Sequence, residues 1–204
     1  MVVENEYKFT SDRTDADHCL SSIDSFMREI GADYSKSIKS NTDLYYDSEG
    51  MEITAKGCFI RKRTSSDRKC KLTVKRPIYA GDVMSREEIE RTSDGSFQSV
   101  QDFCSEYFPG IVLNKEPVLV NKSERTVFSF NDGSKTKLLF DKCQYMDGTM
   151  KKDYLEIELE IISDTVIKDF DRMGVVCFVT ENLGFTSVTE SKYARGLRWK
   201  GLTE

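Results

Sequence analysis

One histidine, one tryptophan and three prolines are all that the 204-residue chain contains of those residue types. With His18 alone, histidine-rich metal sites and Ser-His-Asp triads are close to excluded. His18 itself falls early in a helical pattern and reads as structural. Six cysteines (Cys19, Cys58, Cys70, Cys104, Cys143 and Cys177) include no CxxC pair and no zinc-type spacing. Reduced, mostly buried thiols are therefore expected. No apolar run approaches the ~18 residues needed to span a membrane. The N-terminal MVVENEYKF carries two glutamates and no apolar core, so no signal peptide and a cytoplasmic location are expected. Charge of one sign is also missing in bulk: 30 Lys+Arg stand against 35 Asp+Glu, a net charge of −5. A generic polyanion binder driven by its overall field is thereby excluded, and neither nucleic acid nor a membrane is an expected partner. Scarce proline and 11% aromatics argue against disorder. A chain of this length buries about 70% of its unfolded surface, enough for one sizeable core.

Strand-like segments dominate the chain. They are Val2 to Phe9, Asp43 to Tyr46, Cys58 to Thr64, Lys69 to Arg76, Arg86 to Thr92, Val118 to Phe130, Thr136 to Cys143 and Tyr154 to Ile162. Asp94-Gly95, Asn131-Asp132-Gly133 and Asp147-Gly148 supply turn chemistry. A first helix follows a Thr14 cap, buries Cys19, Leu20, Ile23, Phe26, Met27 and Ile30 on one face, and stops at Gly31. A second runs from about Ser96 to Pro109-Gly110. A third starts near Ser163-Asp164 with Val166, Ile167, Phe170 and Met173. A short helix or coil, Ser191 to Leu197, follows a further strand. The pattern predicts a single α+β domain over residues 1–204, with about eight antiparallel strands in a closed or nearly closed barrel and helices outside.

The alternation itself is unusual. Half-buried strands alternate apolar with mixed polar residues, but here whole faces are ionised. Glu4, Glu6 and Lys8 share a face, as do Arg61 with Arg63, and Lys69, Lys71, Thr73 and Lys75. So do Arg86, Glu88 and Glu90, and Glu156, Glu158 and Glu160; Asp141 pairs with Cys143 on its own face. For any one strand a solvated outer face explains this. For the set it does not, because Glu and Lys are poor strand residues. Glutamates at i, i+2 and i+4 also repel at roughly 7 Å spacing unless a cation lies between them. Carboxylates on one side and an Arg/Lys cluster on the other suit a metal–polyphosphate complex. Mg²⁺ or Mn²⁺ would take carboxylate and phosphate oxygens, and guanidinium forks and ammonium groups the remaining phosphate oxygens.

These segments resemble, in order, the motifs of the triphosphate tunnel metalloenzymes (the CYTH superfamily). Glu4-Asn5-Glu6-Tyr7-Lys8 resembles ExExK, Leu44-Tyr45-Tyr46-Asp47 the YYD strand, and Ile60-Arg61-Lys62-Arg63 the LRxR strand. Leu72 to Pro77 resembles the strand with a phosphate-binding lysine, Arg86 to Glu90 resembles RxExE, and Lys122 to Arg125 a basic strand. Phe140-Asp141 stands where a leucine and an aspartate are usual. Glu156 to Glu160 resembles EIELEL, and Ser191 to Leu197 the C-terminal SKxxRG. The resemblance implies an eight-stranded antiparallel tunnel that binds a triphosphate inside with a divalent metal, Mg²⁺ or Mn²⁺. It implies that Lys8, Arg61, Arg63, Lys75, Arg125 and Lys192 grip phosphates and support catalysis, with Lys71 and Arg195 beside them in substrate binding. Glu4, Glu6, Glu158 and Glu160, with Glu156 and Asp141, would hold metal; Glu88 and Glu90 would be metal-side or ion-pair residues. The expected function is hydrolysis of a small-molecule triphosphate. A class IV-type adenylyl cyclase and a non-catalytic polyphosphate or nucleotide binder are the alternatives. A homodimer is compatible with so small a domain. Trp199 and the Tyr45-Tyr46 pair read as packing residues, and Lys62 should point outward.

Overall fold

The computed structural model of the chain describes residues 5–80, 83–131, 133, 136–161 and 172–203. Among these, nine strands and four α-helices follow one another in this order: β1 (Asn5–Ser11), α1 (Ala16–Glu29), β2 (Tyr34–Tyr46), a 3-10 turn (Thr54–Lys56), β3 (Phe59–Ser65), β4 (Cys70–Ala80) and β5 (Val83–Ser93). Then come α2 (Phe97–Tyr107), β6 (Leu119–Phe130), β7 (Lys137–Asp147), β8 (Met150–Ile161), α3 (Arg172–Cys177) running into a π-helical turn (Phe178–Asn182), β9 (Thr186–Ser187) and α4 (Lys192–Trp199). All described strand pairs are antiparallel, in one sheet of order β5-β4-β3-β2-β6-β7-β8-β1-β9. This is the α+β antiparallel architecture expected from the sequence. The ninth strand is a two-residue addition to the edge of β1. Among the described residues the backbone ladder does not join β5 to β1. Side chains span the two ends instead: Lys75 on β4 and Glu6 on β1 approach to 3.9 Å.

Strand parity sends apolar side chains outward to the helices and charged ones inward. Ile157 and Leu159 of β8 join Phe9, Phe128, Phe140 and Leu138 in a cluster under Cys19, Ile23 and Met27 of α1 and Val175 of α3. Ile60 of β3 and Leu72 and Val74 of β4 pack instead beneath Val100, Phe103 and Cys104 of α2. A third cluster, with Leu119, Tyr145, Tyr154, Tyr193 and Leu197, seats α4. There Gly196 has no room for a side chain: a Cβ would overlap Leu119 Cδ2 and lie 3.0 Å from Tyr145 Cε1. Trp199 stacks on Tyr145 at 5.8 Å, a packing role as expected.

Local chemistry sets the element boundaries. Ser96 caps α2, its Oγ accepting from Ser99 N at 3.1 Å. The expected Thr14 cap of α1 is replaced by Asp15, which makes no side-chain capping bond. The Asp15 carboxylate is instead held by the Arg13 guanidinium. β2 starts nine residues before the expected Asp43, at Tyr34. Its first half pairs with β6 alone, beyond the reach of β3, and most of its side chains there are exposed. No apolar alternation was required of it, so none marks it. The expected third-helix positions Ser163 to Phe170 lie outside the described residues. All six cysteines are free, and five of them are buried.

Candidate active site

The inward faces enclose a cavity of about 420 Å³. It is lined by Glu6 and Lys8 from β1, Arg61 and Arg63 from β3, Lys75 from β4, Glu88 and Glu90 from β5, Arg125 from β6, Glu158 and Glu160 from β8, and Ser191, Lys192 and Tyr193 at the start of α4. Tyr45 and Phe59 complete the wall. All six residues expected to grip phosphate therefore share one cavity.

Buried aspartates hold two of the guanidinium groups rigidly. Asp43 accepts from Arg63 Nε at 2.6 Å and Nη2 at 2.7 Å. Asp141 accepts from Arg125 Nε at 2.7 Å and Nη2 at 2.6 Å, and Arg125 Nη2 also reaches Glu158 Oε2 at 2.7 Å. Burial raises the Asp43 carboxyl, but the opposing charge and hydrogen bonds of Arg63, with Arg61 and Lys192, bring it below its ordinary value. Asp43 was not anticipated. The parity that put Arg61 and Arg63 on one face puts Asp43 and Tyr45 on the neighbouring inward one, and the register sets Asp43 opposite Arg63.

Arg61 is held more loosely. Its Nη2 donates to Thr73 Oγ1 at 3.1 Å and meets Glu88 at 3.5 Å, while its buried Nε has no hydrogen-bond acceptor among the described residues. Lys75 pairs with Glu88 at 3.0 Å, and Lys8 with Glu6. Glu88 and Glu90 thus act as ion-pair residues, Glu90 meeting Lys71 at 2.8 Å and Arg61 at 3.8 Å. Lys71 does not line the cavity; its side chain is 51% exposed. Lys62 points away, as expected, donating to Gly95 O at 2.8 Å.

The carboxylates fall into two groups. Asp141, Glu156 and Glu158 form a buried trio with oxygens within 4.8 Å of one another. Its partners are cations of the chain: Lys192 Nζ lies 2.8 Å from Asp141 and 3.2 Å from Glu158 and contacts Glu156, which Arg195 also pairs. Burial pushes Glu156 up to about 7, against the pull of Lys192, whereas Lys192 and Arg125 outweigh burial at Glu158 and hold it well below its ordinary value. Asp141 and Glu156 do not line the cavity, and Arg195 turns away from it.

The second group faces the cavity. Glu6 on β1 lies directly opposite Glu160 on β8, with Lys8 opposite Glu158. Like charges in direct cross-strand register are destabilising. Burial, then Glu158 and Glu6, raise the Glu160 carboxyl. Glu160 makes no ion pair among the described residues. These facing carboxylate oxygens are the donor type that a hard divalent cation takes. Glu4, expected with them, lies outside the described residues.

Tyr45, Phe59 and Tyr193 were not expected to line the site. Tyr45 and Tyr193 stack at 4.9 Å, and Tyr193 shares a 2.6 Å hydrogen bond with Thr54, which donates to buried Asp47 at 2.6 Å. The YYD segment therefore fixes the start of α4 rather than serving packing alone.

No family model and no curated protein matches the sequence. Solved structures do match its fold. HpAC1 of Hippeastrum, assigned as an adenylyl cyclase and reported to have a dominant triphosphatase activity, superposes with a TM-score of 0.59 at 17% identity, over 100% of this chain and 98% of its own. The PH1819 protein of Pyrococcus horikoshii gives 0.55 at 17%, over 96% and 99% of the two chains. A Vibrio parahaemolyticus protein assigned as an adenylate cyclase gives 0.52 at 16%, over 95% and 97%. The chain shares its fold with these solved proteins over nearly its whole length. No described helix is long and apolar enough to cross a membrane.

Proposed function

We propose that this cavity binds a linear triphosphate and hydrolyses it with the help of Mg²⁺ or Mn²⁺. The observation that carries this reading is the convergence of Lys8, Arg61, Arg63, Lys75, Arg125 and Lys192 on one 420 Å³ space. The ligand is a small-molecule triphosphate, since the cations are turned inward where neither duplex nor bilayer reaches. Arg63 and Arg125 each spend two donors on an aspartate and keep the fork oriented for phosphate. Arg61, whose buried Nε has no acceptor among the described residues, is hydrogen-bonded to the wall only through Nη2. Glu6, Glu158 and Glu160 would hold the divalent ion, which supplies Lewis-acid polarisation of the phosphoryl oxygens and of water. Water's oxygen bonds to the terminal phosphorus as the bridging P–O bond breaks; its proton passes to a phosphate oxygen, and the diphosphate leaves among the cations. Charge already in place stabilises the transition state, and no covalent nucleophile is needed. Phosphate release from tripolyphosphate is the test, with Arg61→Ala expected to cost about 10²–10³-fold in turnover. Activity that survives EDTA, or that survives Arg61→Ala undiminished, would sink the proposal.

A cyclase uses the same clamp and attacks with a 3′-hydroxyl, and it needs a surface for a base. The wall of Tyr45, Phe59 and Tyr193 is the one observation that favours it. Incubation with ATP, read for cyclic AMP against free phosphate, separates the two reactions.

A further inference from the structure

Lys192 and Arg195 lie three residues apart on α4, one turn along the same face. Their charged ends nevertheless go to different places. Lys192 Nζ sits at the cavity wall against Asp141, Glu156 and Glu158. Arg195 lies behind the wall: Nη2 pairs with Glu156 Oε2, Nη1 donates to Glu190 O at 3.0 Å, and the guanidinium covers the Tyr154 ring at 5.6 Å. One fully buried carboxylate therefore joins the two cations, Oε1 toward Lys192 and Oε2 toward Arg195.

The trio is compact enough for a single cation, and the lysine ammonium occupies that position. Three carboxylates meet three cations there: Lys192, Arg125 and Arg195. Without Arg195, Glu156 would lose the cation that fixes its Oε2, and its carboxyl group would be free to turn. One side of the socket around the Lys192 ammonium would then no longer be fixed, and the ammonium would lose its set position at the cavity wall.

We propose that Asp141, Glu156 and Glu158 form a socket for the Lys192 ammonium, and that Arg195 is a positioning residue that holds this ammonium at the cavity wall through Glu156 without touching the triphosphate. The inference rests on the triphosphate reading of the cavity and assigns Arg195 a different role from that of a phosphate ligand.

A double-mutant cycle tests it, with wild type, Arg195→Ala, Lys192→Ala and the double variant assayed on tripolyphosphate with Mg²⁺, and kcat and KM separated. Thermal melting of the same four proteins reports folding. Arg195→Ala is expected to lower kcat by about 10–100-fold, the usual scale for misplacing a reacting-site group by an ångström. The double variant should be no slower than Lys192→Ala alone, because Arg195 acts only through Lys192. Ethylammonium should restore part of the activity of Lys192→Ala by entering the emptied socket. Losses that multiply in the double variant would overturn the proposal, as would Arg195→Ala protein with wild-type kcat and only a lower melting temperature, or failure of the amine to rescue. Wild type that binds tripolyphosphate without turnover would overturn the hydrolase reading alone; the same cycle read in calorimetric affinity then decides the positioning claim, sub-additive losses supporting it and additive ones refuting it. Wild type that does not bind tripolyphosphate overturns both.

Discussion

Replacing Asp43 by asparagine isolates the electrostatic core of the site with almost no change of shape. The wild-type carboxylate is fully buried and accepts two hydrogen bonds from Arg63. Asparagine keeps one acceptor oxygen for Nε and turns its amide donors toward Nη2, donor against donor. Arg63 cannot deprotonate, and its side chain is only 18% exposed. A buried pair broken from one side costs about 3–5 kcal/mol. Water in the cavity reaches Arg63, so the low end, about 3 kcal/mol, is expected. In urea this lowers the midpoint by roughly 1–2 M at unchanged m-value. The pH dependence fixes the mechanism. The folded-state carboxyl sits below its ordinary 3.8, so its stabilisation is present at pH above that value and is lost as pH falls through the folded value. The gap between wild type and Asp43→Asn should thus stay constant from neutral pH down to about 5 and narrow below about 4. Tripolyphosphate should stabilise the variant more than wild type, because the ligand gives Arg63 back an anion. A cost under about 1 kcal/mol, or a gap that widens in acid, would mean that Arg63 is solvated and that Asp43 does not orient it.

Gly196→Ala gains about 1 kcal/mol of helix propensity but overpacks Leu119 and Tyr145 at about 1–3 kcal/mol. Melting should fall by a few degrees, and activity with it, since α4 carries Lys192; an unchanged melting temperature would show that α4 shifts freely. Glu160→Gln should raise the metal-free melting temperature, because burial and the neighbouring carboxylates already disfavour its charge, while cutting Mn²⁺ affinity and turnover by about 10²-fold or more. Sign reversal of the melting effect on adding Mn²⁺ is the outcome to look for by calorimetry. The pair Asp43→Leu with Arg63→Met should fold with stability equal to wild type or about 1–4 kcal/mol higher, yet lose triphosphate binding. Urea midpoints and tripolyphosphate titration check both halves.

Parity was the legible part of this molecule. Period-2 spacing put Glu156, Glu158 and Glu160 on one face and Ile157 and Leu159 on the other, and the structure sends the first set inward and the second under α1. It also set Lys62 outward against Arg61 and Arg63. Depth along a face was not legible. Three glutamates of equal phase meet three environments: Glu160 at the cavity, Glu158 at the wall against Arg125 and Lys192, Glu156 behind it with Arg195. Register and the seating of α4 decide this, and both are long-range. Nor did the SKYARG segment disclose that its lysine and arginine part company across one carboxylate. The early half of β2 was hidden for the opposite reason: Tyr34 to Ser40 carries no buried face, so no periodicity records it.

A cavity with six cationic and five carboxylate side chains on its wall needs an account of why the cations do not simply collapse onto the nearest acid and fill the space. The geometry supplies one. Three of the cations are held by acids at the base of the wall: Asp43 for Arg63, Asp141 for Arg125, and the trio for Lys192. Each acid anchors its cation from behind, and the backbone positions of these acids are fixed by the strand register. The cation is thereby neutralised enough to be buried in the empty protein, and still presents unused donors to the cavity. An entering phosphate oxygen then adds bonds to a guanidinium or ammonium that has already lost its water and its freedom. That is the preorganised arrangement in which electrostatic stabilisation of a transition state is strongest. The fold keeps these pairs at a cost in stability, because apolar residues in the same positions would hold the strands together at least as well.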